Sequence, residues 1–142
     1  MTDDRAKKIE WLKRAKHADV LATAFAESYE HDREIARKLT RVISDMPHSN
    51  KNENSTENAL IRFTETSIQA QQKLCELHRT RNEITRAIQN IDNADMQAVL
   101  TLRYLCYMTI DQTAEAMCYD KATVWRKHNA ALDKLEIPEK LQ

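Results

Sequence analysis

Lys121, Ala122, Trp125 and Arg126 follow one another at steps of one, three and one, a spacing that gathers four side chains on the outer face of a single helix. Arg126 can offer a guanine edge a bidentate pair of hydrogen bonds, Lys121 can reach a guanine or a phosphate, and Trp125 offers apolar contact to a thymine methyl. Thr109, Thr123, Lys127, His128 and Asn129 stand near enough in sequence to reach backbone phosphates, contacts that set register without reading bases. This combination points to recognition of double-stranded DNA. The same cations also fit a solvated helix face, and Trp125 also fits packing against the N-terminal helices.

Such side chains work only if short helices hold them at a fixed angle, and the flanking sequence supplies those helices. Asp92-Asn93-Ala94-Asp95 offers a cap, and Met96 to about Cys106 places Val99, Leu102 and Leu105 or Cys106 on one face. Thr109 and Gln112 have the spacing of a capping box, which opens a second helix from about Ile110 to Met117. Cys118 and Tyr119 form a tight turn, Asp120 can cap a third helix running to about Leu135, and Pro138 prevents continuation. Two helices joined by a turn of about three residues make a helix-turn-helix, whose second helix enters the major groove. Ala114 is small enough for close crossing, and Val124 anchors the reading helix from within, with Met117, Ala131, Leu132 and Leu135 completing the core.

Upstream the pattern changes. Trp11, Ala15, Ala18, Ala22, Phe25, Tyr29, Asp32, Ala36, Leu39, Ile43 and Met46 alternate steps of four and three, the seam of a helix that lies along another helix. Leu60, Phe63, Ser67, Ala70, Leu74, Leu77, Arg81, Ile84, Ile88 and Ile91 form a second such seam. Between them the polar stretch 47–55, opened by Pro47 and closed by Ser55 as a helix cap, predicts a loop, with helices over about 3–45 and 56–91 folded back as an antiparallel hairpin. That arrangement sets Met46 against Leu60, Tyr29 against Leu77 and Ala22 against Ile84. Ile35, Val42, Ile61, Ile68 and Cys75 widen the apolar surface beyond one seam, and two helices by themselves bury little. A homodimer through the N-terminal helices is therefore expected, the alternative being that the extra stripe packs on the C-terminal domain.

Composition excludes several classes. The chain of 142 residues has Gly 0, which removes the phosphate-cradling glycine loops of nucleotide-hydrolysing enzymes and makes sheet-rich folds improbable. Lys+Arg and Asp+Glu are each 22. The balance holds along the chain, with 10 basic and 9 acidic residues in 1–47, 6 and 7 in 48–95, and 6 and 6 in 96–142, so no segment is a basic tail. Cys75, Cys106 and Cys118 are an odd number without paired spacing and fit buried thiols in a reducing cytosol. Cys75 and His78 are three apart, but no second pair completes a metal site. No nucleophile or carboxylate motif argues for catalysis. No cofactor is expected, no metal, no membrane span and no signal peptide, and the expectation is a cytoplasmic protein that is not an enzyme.

Val99-Leu100-Thr101-Leu102-Arg103-Tyr104-Leu105, then Met108 to Met117, then Lys121-Ala122-Thr123-Val124-Trp125-Arg126 resemble region 4 of bacterial sigma factors over about forty residues. The resemblance implies that Lys121, Ala122, Trp125 and Arg126 contact bases. Over nearly its full length, including the Asp45-Met46-Pro47 break, the chain is similar to the ArpU-like late transcription regulators of phages and prophages of Gram-positive bacteria. Cys118 departs from the glycine usual in the turn, and Thr113 from the usual buried aliphatic residue. The chain has no counterpart of the promoter-melting region, so the resemblance implies action by adding a contact at a promoter or by recruiting RNA polymerase. The expected architecture is all-α, with a hairpin over 1–91 and a helix-turn-helix over 92–142. A helical module that binds another protein without DNA is the competing expectation, favoured by the neutral charge.

Overall fold

The computed structural model describes residues 3–45 and 53–138. Five α-helices account for most of them: α1 (Asp3–Asp45), α2 (Glu53–Gln89), α3 (Ala94–Leu100), α4 (Ile110–Met117) and α5 (Lys121–Lys134). α3 runs on into a π-helical turn at Thr101–Leu105. Among the described residues there is no strand, and no helix is long and apolar enough to cross a membrane. The fold is all-α, as the patterning predicted.

Helix boundaries follow local chemistry, with corrections at both ends of α2 and at the start of α3. α2 begins at Glu53, so Ser55 lies inside the helix and does not cap it, and the loop expected over 47–55 is shortened from its C-terminal side. Pro47 and the rest of 46–52 lie outside the described residues, as does the Met46 side of the expected Met46–Leu60 pairing. α2 stops at Gln89, and Asn93 caps α3 by accepting the Met96 N–H at 3.1 Å. The first short helix thus begins two residues before the expected Met96.

The chain forms two compact units, one of residues 19–77 and one that joins 1–18 to 78–142. In the first, α1 and α2 run antiparallel: Tyr29 stacks on Phe63 with centroids 5.2 Å apart, and Lys73 lies over the Phe25 ring at 5.7 Å. Asp32, the polar break in the α1 seam, accepts a 2.7 Å hydrogen bond from the Thr66 hydroxyl. This register corrects the expected one. Tyr29 meets Phe63 and not Leu77, and Leu60 and Leu74 of the expected seam are 47% and 60% exposed. Phe63, Ala70 and Leu77 belong equally to a seam through Thr66 and Lys73 and to one through Leu60 and Leu74; the need of a buried carboxylate for a donor selects the former.

The second unit holds the main core. Trp11, Leu12 and Ala15 of α1 pack with Ile84, Ala87 and Ile88 of α2, with Leu100, Tyr104 and Leu105, and with Ala131, Leu132 and Leu135. The boundary expected between residues 91 and 92 falls inside this unit, because those apolar side chains join the base of the hairpin to the C-terminal helices in one cluster. Polar ties reinforce it. Arg5 holds Asp133 bidentately at 2.8 and 2.7 Å, and the Lys8 ammonium donates at 2.8 Å to the Leu132 carbonyl in the last turn of α5, which also accepts from the Leu135 N–H at 3.2 Å. Arg81 donates to the Leu105 carbonyl at 3.0 Å and to the Tyr107 hydroxyl at 2.9 Å, fixing the segment that leads into α4.

Candidate nucleic-acid interface

α4 is defined at both ends. Its capping box is complete: the Gln112 N–H donates to the Thr109 hydroxyl at 3.2 Å, and the Thr109 N–H donates to the Gln112 side chain at 2.9 Å. Thr113 is fully buried, and its hydroxyl donates to the Thr109 carbonyl at 2.8 Å, so a polar residue fits where an aliphatic one is usual. At the other end Cys118 adopts φ 58° and ψ 37°. This is the left-handed conformation in which a Cβ is unfavourable and which glycine takes freely. The Tyr119 N–H reaches back to the Ala114 carbonyl at 3.0 Å and closes the turn. Cysteine therefore carries out the turn without distorting it, at some conformational cost.

Asp120 then opens α5, its carboxylate accepting a hydrogen bond from the Thr123 hydroxyl. That bond, with a smaller contribution from the Arg126 charge, holds the Asp120 carboxyl below its usual range. Val124 is fully buried and packs with Val99, Ile110 and Ala114, and Met117 lies against them, so α5 crosses α4 on the residues expected from the sequence. Leu102 is half-buried, and Leu105 occupies the core in place of Cys106; Cys106, Cys75 and Cys118 are all exposed, which corrects the expectation of buried thiols.

Lys121, Ala122, Trp125 and Arg126 are all exposed on α5, and the geometry brings the four together on one face at its N-terminal half. Lys121 is not free of competition: its ammonium pairs with Asp111 of α4 at 3.0 Å. Trp125 is 39% exposed, with its ring set edge-on to His128 at 5.5 Å, so it leans on its own helix. Lys127 is half-buried and paired with Asp95 at 3.0 Å, above the Tyr119 ring at 5.1 Å. Tyr119 also donates to Asp95 at 2.8 Å, and the Lys127 and Tyr119 hydrogen bonds together hold the Asp95 carboxyl below its usual range. Lys127 can meet a phosphate only by leaving that pair. Thr109 is exposed, Thr123 is half-buried against Asp120, and Asn129 is half-buried with its side-chain oxygen 3.4 Å from His128 Nδ1.

One expected phosphate contact is corrected. His128 is 1% exposed, and its Nε2 lies 2.7 Å from the Tyr104 hydroxyl, with the two rings stacked at 5.7 Å. It is a core residue that ties α5 to the π-helical turn. Burial pushes its pKa below the usual imidazole value and favours the neutral ring. Its position four residues after Val124 and four before Leu132 gave the signal: the inner face of α5 passes through it.

Sequence reasoning missed the carboxylates. Asp95, Asp111 and Asp120 meet the α5 face from the start of α3, from α4 and from the cap of α5 itself. Of these, the Asp120 capping position was legible, whereas the pairings of Asp95 and Asp111 depend on the fold.

The arrangement defines an all-α protein with a helix-turn-helix. Residues 51–136, more than half of the chain, match the family described as a protein of unknown function (DUF1492), and the protein belongs to that family. No curated protein and no solved structure matches it.

Proposed function

We propose that this protein is a sequence-specific DNA-binding transcription regulator of phage or prophage origin, acting in the cytoplasm as a binding protein and not as an enzyme. The observation that carries this reading is the exposed face of α5, where Lys121, Ala122, Trp125 and Arg126 project together from a helix fixed by a capping box, a left-handed turn and a buried Val124. A helix presented in this way fits the major groove, with its N-terminal residues on base edges. Arg126 is assigned a guanine, and Trp125 an apolar contact to a thymine methyl. Lys121 exchanges Asp111 for a guanine or a phosphate. The likeness of the sequence to sigma region 4 supports RNA polymerase as a second partner at the promoter.

Fluorescence anisotropy against double-stranded fragments from the protein's own genomic neighbourhood, at two salt concentrations, tests the proposal. Binding should be saturable, selective and weakened by salt, since each phosphate neutralised releases counterions. Arg126→Ala should cost about 1–3 kcal/mol and relax preference at one base pair. Unchanged binding by Arg126→Ala and Lys121→Ala would remove α5 as the reading helix. The second reading, a helical module that binds a protein without DNA, is favoured by the exposed apolar side chains of residues 19–77; it predicts no salt-sensitive DNA affinity.

A further inference from the structure

Trp125 is a large ring in an exposed place, and its setting decides what it can read. An indole on a solvated helix face has more than one rotamer open to it, and a side chain that reads a base loses that freedom on binding unless the protein has already removed it. Here the ring is 39% exposed and meets the imidazole of His128, one turn further along α5, with centroids 5.5 Å apart and planes at 88°. Edge-to-face contact is a favoured arrangement of two rings and depends on the angle of each.

The angle of the imidazole is itself fixed. His128 is buried, the Asn129 side-chain oxygen faces its Nδ1 at 3.4 Å, and the Tyr104 hydroxyl lies 2.7 Å from its Nε2. Burial and the charges of Arg103 and Arg5 disfavour the cationic ring, so the neutral imidazole carries its proton on Nδ1, toward Asn129, and accepts the Tyr104 O–H at Nε2. Stacking of the same two rings at 5.7 Å holds the plane of the imidazole as well. Tyr104 in turn is 6% exposed and stands in the π-helical turn at Thr101–Leu105, where the Arg103 guanidinium lies over its ring at 5.6 Å and donates to the Met108 carbonyl at 2.8 Å. A π-helical turn is an uncommon conformation, and such turns are frequent at functional sites.

A chain of contacts thus runs from the π-helical turn, through a buried imidazole, to an exposed indole. We propose that Tyr104 and His128 are positioning residues, which set the Trp125 ring on the reading face and thereby determine preference at the base pair that Trp125 meets. The inference rests on the DNA-binding reading of α5; what it adds is that two core side chains out of reach of DNA govern one position of the target. Lys121 is held by Asp111 and not through His128, so loss of the Tyr104–His128 pair leaves its contacts in place.

Two measurements on the full chain test this. Acrylamide quenching without DNA reads the indole itself, because Trp11, the other tryptophan, is 4% exposed. Quenching should rise in His128→Leu and return toward wild type in the double variant Tyr104→Phe with His128→Phe, which keeps the stacked rings and an edge for the indole without stranding a hydroxyl. Anisotropy against duplexes varied one base pair at a time then locates the pair whose preference Trp125→Ala removes. At that pair His128→Leu should lose the preference too, thymine over uracil falling from about fourfold, the worth of one buried methyl, to about one. Preference at the pair sensitive to Arg126→Ala, and affinity for a scrambled duplex, should stay as in wild type. Tyr104→Phe deletes one oxygen from the core and should show the same loss in smaller degree, which keeps the test decisive if His128→Leu does not fold. An intact preference in both variants, an equal fall of affinity at every pair, or no pair sensitive to Trp125→Ala would overturn the inference. A wild type that binds no duplex would remove the DNA-binding reading instead, and quenching would still decide whether the pair holds the ring.

Discussion

Arg126, Lys121 and Trp125 occupy one face, yet their surroundings give them different tasks. Lys121 is held by Asp111 across the helix-turn-helix, so a phosphate must compete with a carboxylate already in place. Asp111→Asn should therefore tighten binding to nonspecific DNA about two- to fivefold at low salt, the worth of one exposed ion pair; anisotropy with a scrambled duplex measures this, and weaker binding would remove Asp111 as a competitor. His128 works inward. Its folded pKa is depressed by burial, so the unfolded chain takes up its proton at the higher pH. The stability that the neutral ring supplies is present above the unfolded pKa of about 6.5 and is lost as pH falls through that value toward the folded one. Asp95, Asp120 and Asp133 are also depressed, but their contribution is present above the ordinary carboxylate pKa and is lost only in a more acidic range. Urea midpoints at pH 7.5 and pH 5.5 should differ for wild type and converge for His128→Gln; an equal pH dependence in both would place the loss elsewhere.

At the scale of elements, the two ends of α4 and the start of α5 are set by local chemistry, and the pairing of α1 with α2 is set by a buried polar contact. Asp32 and Thr66 are 9% and 7% exposed and bonded to each other at 2.7 Å. Thr66→Val preserves shape and strands the carboxylate, which should cost about 1–3 kcal/mol, read as a fall in thermal or urea midpoint. Adding Asp32→Ala should recover part of that loss. No recovery would mean that the two residues act separately. The contrast with α5 is instructive: Lys8 and Arg5 of α1 hold the last turn of α5 by a carbonyl and a carboxylate, so α5 is fixed at its C-terminal end while Lys121, Ala122, Trp125 and Arg126 in its N-terminal half are exposed.

The whole molecule divides unevenly in its apolar content. Both buried apolar clusters, one around Leu12, Ile84, Leu100 and Leu132 and the other around Val99 and Val124, belong to the unit of 1–18 and 78–142. The unit of 19–77 relies on rings, small residues and one polar pair. Local stability tracks buried apolar contact. Hydrogen exchange read by mass spectrometry should find peptides covering Leu100–Leu105 and Val124–Leu132 protected longest, and those covering 53–77 exchanging sooner. The reverse order would show that residues 19–77 hold more stability than their interior accounts for.

Periodicity and capping chemistry alone account for a good deal of this protein. The absence of glycine, the spacing of Thr109 and Gln112, and the three-four alternation from Trp11 to Leu39 suffice for an all-α chain, for α4 over Ile110–Met117 and for the α1 seam. Each of these is a local property, carried by residues within one or two turns of each other. The tertiary structure decided what depends on residues far apart in the chain. A change of α2 seam, from Leu60 and Leu74 to Thr66 and Lys73, follows only from the donor that Asp32 of α1 meets. His128 reads as a cation for phosphate along the chain, and becomes a core residue because Tyr104 and Trp125 enclose it. Asp95 and Asp111 find Lys127 and Lys121 only through the crossing of α3, α4 and α5. Hydrogen bonds and ion pairs act over a few ångströms, so their partners are fixed by where the backbone brings them, and no spacing along one helix encodes that.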